Sequence, residues 1–159
     1  MNIRIGLGFD VHQLVAGRKL FLCGVEIAHP LGLLGHSDAD VALHAVIDAI
    51  LGAVGAGDIG QWFPDNDAAY KDADSKVLLQ TVMQSEALQN CQVGNLDLVI
   101  IAQQPKILPW VPVMKKSLAN LLQCEESQIS IKGKTTEKLG YTGRGEGIAA
   151  QAVILLQKS

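Results

Sequence analysis

Asp10-Val11-His12 and His36-Ser37-Asp38-Ala39-Asp40-Val41-Ala42-Leu43-His44 contain three of the chain's four histidines. A carboxylate and two imidazoles, gathered by a fold, suit a Zn²⁺-type ion with one position left open for chemistry. Asp10, His12 and His44 are therefore the candidate metal ligands, provided the two phrases meet in space. Taken singly, each histidine reads as a core residue with satisfied hydrogen bonds, and each aspartate as a cap or a solvated charge. The combination is what points to metal. His29, just before Pro30, reads as structural.

The elements that must position these groups follow from periodicity. Residues 3–12 alternate, with Ile3, Ile5, Leu7, Phe9 and Val11 on one face and Arg4, Gly6, Gly8, Asp10 and His12 on the other. As a strand, this puts Asp10 and His12 side by side, about 7 Å apart at Cα. Gly6 and Gly8 strip that same face of bulk and invite close approach by another backbone. A helix is predicted over 38–54, capped by Ser37 or Asp38, with Asp40 imitating a capping box. Its run Ala39–Val54 is apolar except for Asp40, His44 and Asp48, which recur every four residues as one polar stripe. Such a stripe is costly unless paired or bound to metal. Asp48, one turn beyond His44, is placed to steady a ligand from behind.

With 159 residues the chain is expected to form one domain, 1–159, with a core of Val, Ile, Leu and Ala, since aromatics are only 4%. The remaining pattern predicts a hairpin (Lys19–Cys23, then Val25–Ala28) and a helix from a Ser75 cap to about Leu88. A strand Leu96–Gln103, a helix Val111–Gln123, and strands Gln128–Lys134 and Gly147–Leu156 follow. The fold class is α+β: a two-layer sandwich with a mixed four-stranded sheet, helices on one face and a small hairpin. Leu98–Ile101 and Ala149–Leu156 are apolar on both faces, as in strands buried on two sides. Three helices cover one face of such a sheet, so the other predicts self-association, most simply as a closed ring.

Three widely spaced cysteines without a CxxC pair, and no signal peptide, suggest reduced thiols and a cytoplasmic location. Aspartates interrupt the longest apolar stretch, so no membrane span is expected. The net charge of −3 disfavours nucleic acid. Lys132, Lys134, Lys138 and Arg144 nevertheless crowd one segment, which suits a small polyanion. Gly6-Leu7-Gly8 is not a dinucleotide fingerprint, and Gly143-Arg144-Gly145-Glu146-Gly147 is not a Walker loop. His36-Ser37, at the mouth of the first helix, offers an anion site or simply a cap. Lys134-Thr135-Thr136-Glu137-Lys138 fits phosphates with a Mg²⁺ held by one acid, or a solvated loop. Asp58 could grip sugar hydroxyls or be an ordinary turn aspartate.

Read in order, Gly8-Phe9-Asp10-Val11-His12, His36-Ser37-Asp38-Ala39-Asp40, Asp58-Ile59-Gly60, Phe63-Pro64-Asp65, Thr135-Thr136-Glu137-Lys138 and Gly140-Tyr141-Thr142-Gly143-Arg144-Gly145 resemble the 2-C-methyl-D-erythritol 2,4-cyclodiphosphate synthase family over nearly the whole chain. The resemblance implies a homotrimer with active sites between subunits, acting on 4-diphosphocytidyl-2-C-methyl-D-erythritol 2-phosphate to release CMP and the cyclic diphosphate. It implies that Asp10, His12 and His44 bind Zn²⁺ and that Glu137 helps hold Mg²⁺ or Mn²⁺ between substrate phosphates. His36 and Ser37 would meet the diphosphate. Asp58, Ile59 and Gly60 would grip the erythritol, with Phe63, Pro64, Asp65, Asn66 and Asp67 beside them. Ala102, Gln103, Gln104, Pro105, Lys106, Ile107 and Leu108, with Lys134, Thr135 and Thr136, would frame the cytidine diphosphate, mostly through backbone. Tyr141 and Arg144 would contact substrate, and Arg144 and Glu146 would lie near a trimer axis whose cavity is thought to take isoprenoid diphosphates. Tyr141 stands where Phe is frequent in the family and Lys134 where Thr often stands; the second departure bears on whether a side chain serves the nucleotide.

The residue inventory agrees with that chemistry on its own terms. A phosphate monoester with a second pKa of about 6 is mostly a dianion at neutral pH and needs no general base to attack a diphosphate. No Ser–His or Cys–His nucleophilic pair is evident, so charge neutralisation and alignment must carry the reaction. Two rivals remain at this level: a metal-dependent phosphohydrolase, and a trimeric sensor or structural metal protein. The first usually needs more acids than one Asp with two His, and the second a fourth protein ligand.

Overall fold

β1 (Ile3–Ala16) frames the fold, and its two unlike faces account for much of what surrounds it. The computed structural model, which describes residues 2–159, continues with a hairpin of β2 (Leu20–Leu22) and β3 (Val25–Ile27), then β4 (Leu31–Leu33), helix α1 (Val41–Val54) and the one-turn α2 (Ile59–Trp62). After these come α3 (Ser75–Met83), β5 (Cys91–Ile101), α4 (Val111–Leu122), β6 (Ile129–Lys134), the one-turn α5 (Gly140–Gly143) and β7 (Gly147–Lys158). One sheet runs β4-β1-β7-β5-β6, antiparallel throughout except for the parallel β5–β6 pair.

The mixed sheet, the separate hairpin and the α+β class match the sequence expectation. The strand count does not: the main sheet has five strands, because Leu31–Leu33 pairs with Leu14–Ala16. Three residues are too few for alternation to register. The first helix begins at Val41 and its cap is Asp40, not Ser37 or Asp38. Asp74 rather than Ser75 caps α3, which ends at Met83, and a separate 3₁₀ turn covers Glu86–Leu88. β5 starts at Cys91 instead of Leu96, through a bulge between Val93 and Asn95, and ends at Ile101.

Gly6 and Gly8 bring sheet and helix together. A Cβ at Gly6 would lie 1.7 Å from the Ala49 carbonyl oxygen, and one at Gly8 would lie 1.8 Å from that of Ala45. Strand and helix backbones are thus in direct contact. A two-residue step along a strand, ~7 Å, nearly matches a four-residue step along a helix, ~6 Å, so both glycines seat on one row of α1. Eleven of the fourteen residues of α1 are buried, and Leu43, Ile47, Ile50 and Leu51 are fully so. Each such side chain contributes roughly 1.5–3 kcal/mol of burial. α4 packs on β6, and α3 contacts both α1 and α4.

The other face of β1 carries the apolar set, and among the described residues of one chain nothing covers its middle. Ile5, Leu7 and Phe9 are 67%, 61% and 52% exposed, and Val153 of β7 is exposed beside them. The strands expected to be buried on both faces are covered on one only, because all three longer helices lie on the glycine side. No helix among the described residues is long and apolar enough to cross a membrane.

Candidate functional site

Asp40 fixes where α1 begins. Its buried carboxylate accepts from Leu43 N at 3.0 Å, Cys23 N at 3.0 Å and Gly24 N at 2.6 Å, so one side chain caps the helix and ties it to the hairpin turn. Burial pushes this carboxyl up to about 6, against the backbone N–H groups that pull it down. The cap also alters the expected anion site: the α1 N-terminus is already occupied by Asp40, so the helix dipole is not open to a ligand. The His36-Ser37 loop offers something else. Its N–H groups have no acceptor among the described residues, and Arg18 holds the loop by donating to Ser37 O at 2.7 Å and Leu33 O at 2.6 Å.

With α1 seated on the glycines, His44 meets the end of the Asp10–His12 face. His12 Nε2 and Asp10 Oδ2 are 2.9 Å apart, His44 Nδ1 and Asp10 Oδ2 3.0 Å, and the two ring nitrogens 3.1 Å. These three atoms form a nearly equilateral triangle. The outer ring atoms have partners of their own: His12 Nδ1 meets Leu34 O at 2.9 Å, and His44 Nε2 meets Ser75 Oγ at 2.8 Å. Gly35 makes room for the His12 ring, since a Cβ there would lie 3.1 Å from its Cε1.

A carbonyl only accepts, so Nδ1 of His12 carries the proton and its Nε2 presents a lone pair to the triangle. Lone pairs converging on a carboxylate oxygen are adverse unless a cation sits among them. An ion ~2.0–2.2 Å from each corner fits this N₂O set. The acid–base balance reflects the same convergence. When a proton rather than a cation occupies the triangle, burial would raise the Asp10 carboxyl, but hydrogen bonds and charge from His12 and His44 together hold it well below the usual carboxylate range. Burial would lower His12, and Asp10 overrides this to raise it.

The triangle opens into a cavity of about 330 Å³ whose lining includes His36, Ser37, Ile59, Gly60, Phe63 and Asp65. Tyr70 and Leu78 also line it; they had no signal in the sequence. Asp58, Pro64, Asn66 and Asp67 flank this lining without joining it. Asp58 caps α2 by accepting from Gln61 N at 2.9 Å, and Asp67 accepts from His36 Nε2 through its carbonyl at 3.0 Å. Asp48 does not steady His44 as anticipated. Its Oδ1 accepts from Ile59 N at 2.8 Å and so anchors the 58–60 turn.

A second cavity, about 470 Å³, lies between Ala102–Leu108 and the end of β6, lined by Ala102, Gln103, Pro105, Lys106, Ile107 and Leu108 together with Lys134 and Thr135. Gln103 Oε1 is buried without a hydrogen-bond partner among the described residues. Gln104, expected among these residues, is exposed and not part of the lining. Glu137 is exposed at the rim, with left-handed backbone at both Glu137 (φ 54°) and Lys138 (φ 64°). Thr136 braces that turn, donating to Leu139 O at 2.6 Å and pairing with Thr142 Oγ1 at 2.8 Å, so its hydroxyl is committed to the loop. The two cavities share no lining residue. Tyr141 and Glu146 line a third concavity with Val11 and His12, and Arg144 pairs with Glu146 at 3.1 Å.

The chain matches the YgbB family model over residues 3–157. It is 63% identical over 155 residues to the 2-C-methyl-D-erythritol 2,4-cyclodiphosphate synthase of Geobacillus sp. (strain WCH70), covering 98% of each chain. It superposes on the Plasmodium falciparum IspF–CDP complex with a TM-score of 0.87 and 39% identity, over 99% of this chain and 97% of that one. On the bifunctional IspDF from Campylobacter jejuni the TM-score is 0.93 and the identity 40%, over 99% of this chain and 42% of that one.

Proposed function

The chain belongs to the YgbB family, and from that premise we propose that it converts 4-diphosphocytidyl-2-C-methyl-D-erythritol 2-phosphate into 2-C-methyl-D-erythritol 2,4-cyclodiphosphate and CMP. It is a phosphorus–oxygen lyase of non-mevalonate isoprenoid precursor synthesis. The observation that carries this reading is the Asp10–His12–His44 triangle, with sides of 2.9, 3.0 and 3.1 Å, open on one side to a cavity beside the His36-Ser37 loop, whose N–H groups have no acceptor among the described residues. Three protein ligands and an open fourth position favour Zn²⁺ in a reactive rather than a structural role. This argues against the structural-metal alternative.

When bound there, the ion would polarise the β-phosphate and stabilise developing charge by several kcal/mol. This chain's own residues do the rest. The His36 and Ser37 N–H groups receive phosphate oxygens, and Ile59 and Gly60 hold the erythritol against Phe63, with Asp58 bounding the turn. The 102–108 segment and Lys134–Thr135 hold the cytidine diphosphate, and Glu137 would hold the Mg²⁺ or Mn²⁺ that offsets the phosphate charge. Held this way, the 2-phosphate dianion attacks the β-phosphorus as the bond to the CMP oxygen breaks. Aligning tethered reactants contributes roughly 7–11 kcal/mol.

The substrate needs both cavities, and one chain keeps them apart. A trimer would join the metal corner of one subunit to the nucleotide cleft of the next, using the exposed Ile5, Leu7 and Phe9 face as its interface. Tyr141, Arg144 and Glu146 would then ring a central cavity able to take an isoprenoid diphosphate. Residues 1–159 would act as one domain, and three free cysteines fit a reducing cytoplasm. The test is incubation with the cytidylyl substrate and Mg²⁺, following CMP and phosphorus products by ³¹P NMR, with chelator and metal add-back. Cyclic diphosphate equimolar with CMP supports the proposal; linear phosphates would show hydrolysis instead.

A further inference from the structure

We propose that Ser75 and Asp38 are positioning residues for the cation, setting both the proton and the orientation of His44. The inference rests on the reading that Asp10, His12 and His44 hold a divalent ion.

The argument is one of donors and acceptors. Asp38 Oδ2 accepts from Ser75 N at 3.0 Å, and Oδ1 accepts from Asp40 N at 3.1 Å and from the Ser75 hydroxyl. A side chain that receives three donors and offers none behaves as an ionised carboxylate. The single hydroxyl proton of Ser75 is therefore committed to Asp38. Toward His44 Nε2, 2.8 Å away, Ser75 Oγ can then only accept. Nε2 must carry the proton, and Nδ1 is left with its lone pair directed at Asp10 and His12. Ser37 Oγ lies 3.3 Å from the same Nε2 and already accepts from Ala39 N, so it is the weaker partner.

Other features fit this role. Ser75 is fully buried and stands at the first position of α3, where Asp74 already caps the helix by accepting from Lys76 N at 2.9 Å. Its hydroxyl is thus free of helix duty. The two metal histidines are also oriented by different means: His12 by the Leu34 carbonyl, which no side-chain replacement removes, and His44 by side chains carried on other segments. Groups behind a metal-bound imidazole fix its tautomer and ring angle, and losing one typically weakens metal binding 10–100-fold.

Zinc itself is the probe. Full-length protein is stripped with chelator and titrated with Zn²⁺ against a chromophoric competitor, in parallel for wild type, Ser75→Ala and Ser75→Thr. The expected results are one tight Zn²⁺ per wild-type chain, a roughly 10–100-fold weaker site in Ser75→Ala, and recovery in Ser75→Thr, which keeps the hydroxyl. Long-range ¹H–¹⁵N histidine spectra of stripped wild type supply a second readout that needs no variant to fold. They should place the His44 proton on Nε2. Tight wild-type binding with Ser75→Ala unchanged, or a neutral His44 ring whose single proton sits on Nδ1 instead of Nε2, would overturn the proposal. Failure of the wild type to bind Zn²⁺ would instead overturn the metal-site reading beneath it, and this proposal with it.

Discussion

In the Asp10–His12–His44 corner every side chain arrives with its geometry already set, whereas in the 102–108 and 134–137 cleft the polar groups stand at an open rim. The corner is held by backbone contact at Gly6 and Gly8, by the Asp40 cap and by partners behind both rings. The cleft has a buried Gln103 oxygen without a partner, an exposed Glu137 and an exposed Lys134. The three converging side chains of the corner come from one chain, whereas on the trimer reading a neighbouring subunit would close the cleft. On the proposed reading, preorganisation is thus concentrated where charge would be neutralised, and openness where the substrate would enter and CMP would leave.

Breaking the corner at its base should have the largest effect. Gly8→Val forces a Cβ to within 1.8 Å of the Ala45 carbonyl, which is backbone and cannot rotate away. Loss of about 3 kcal/mol or more is expected, read as a large drop in thermal midpoint together with loss of Zn²⁺ binding. An unchanged midpoint would show that α1 does not rest on β1 as described.

Next in size is the step that joins the two regions. Leu7→Asp places a charge on the exposed apolar face of β1, the face opposite the one that carries Asp10 and His12. Light scattering should show dissociation to single chains, with CMP release falling at least tenfold while each chain retains its Zn²⁺ site. A variant that dissociates yet keeps full turnover would mean that one chain suffices.

Glu137→Gln separates the two regions without disturbing assembly. Turnover should fall and respond little to added Mg²⁺, while Zn²⁺ affinity stays at the wild-type value. A parallel loss of Zn²⁺ affinity would contradict the division. The smallest effect expected is a pH trend confined to the corner. Asp10 raises His12 above its ordinary 6.5, and protonated imidazole cannot ligate. Zn²⁺ affinity should fall as pH drops through that raised value, by about tenfold per pH unit for each ligand imidazole that takes up a proton, measured by competition titration.

The same contrast governs what could be read from the chain alone. Alternation along residues 3–12 placed Asp10 and His12 on one side, and the glycines on that side announced a close backbone approach. Both features are local. The apolar run of α1 likewise predicted a buried helix bearing His44. Contacts between remote segments left no such trace. Asp38 accepts from Ser75, 37 residues away, and Asp48 from Ile59, 11 residues away; neither pairing follows from spacing. Ser75 resembled a helix cap because Ser is a good one, yet Asp74 precedes it and takes that role. Arg18, which holds the His36-Ser37 loop, sits in a turn with no pattern around it. Elements of three or four residues, such as β4 and α2, are too short for periodicity to register.

The most direct test joins metal content to chemistry in one pair of preparations, wild type and His44→Ala. The wild type should carry one Zn²⁺ per chain and release CMP equimolar with cyclic diphosphate. The variant, still folded by circular dichroism, should lose the ion and at least about a hundredfold in turnover, more than loss of an outer partner costs. A folded His44→Ala protein that releases CMP at the wild-type rate would contradict the account.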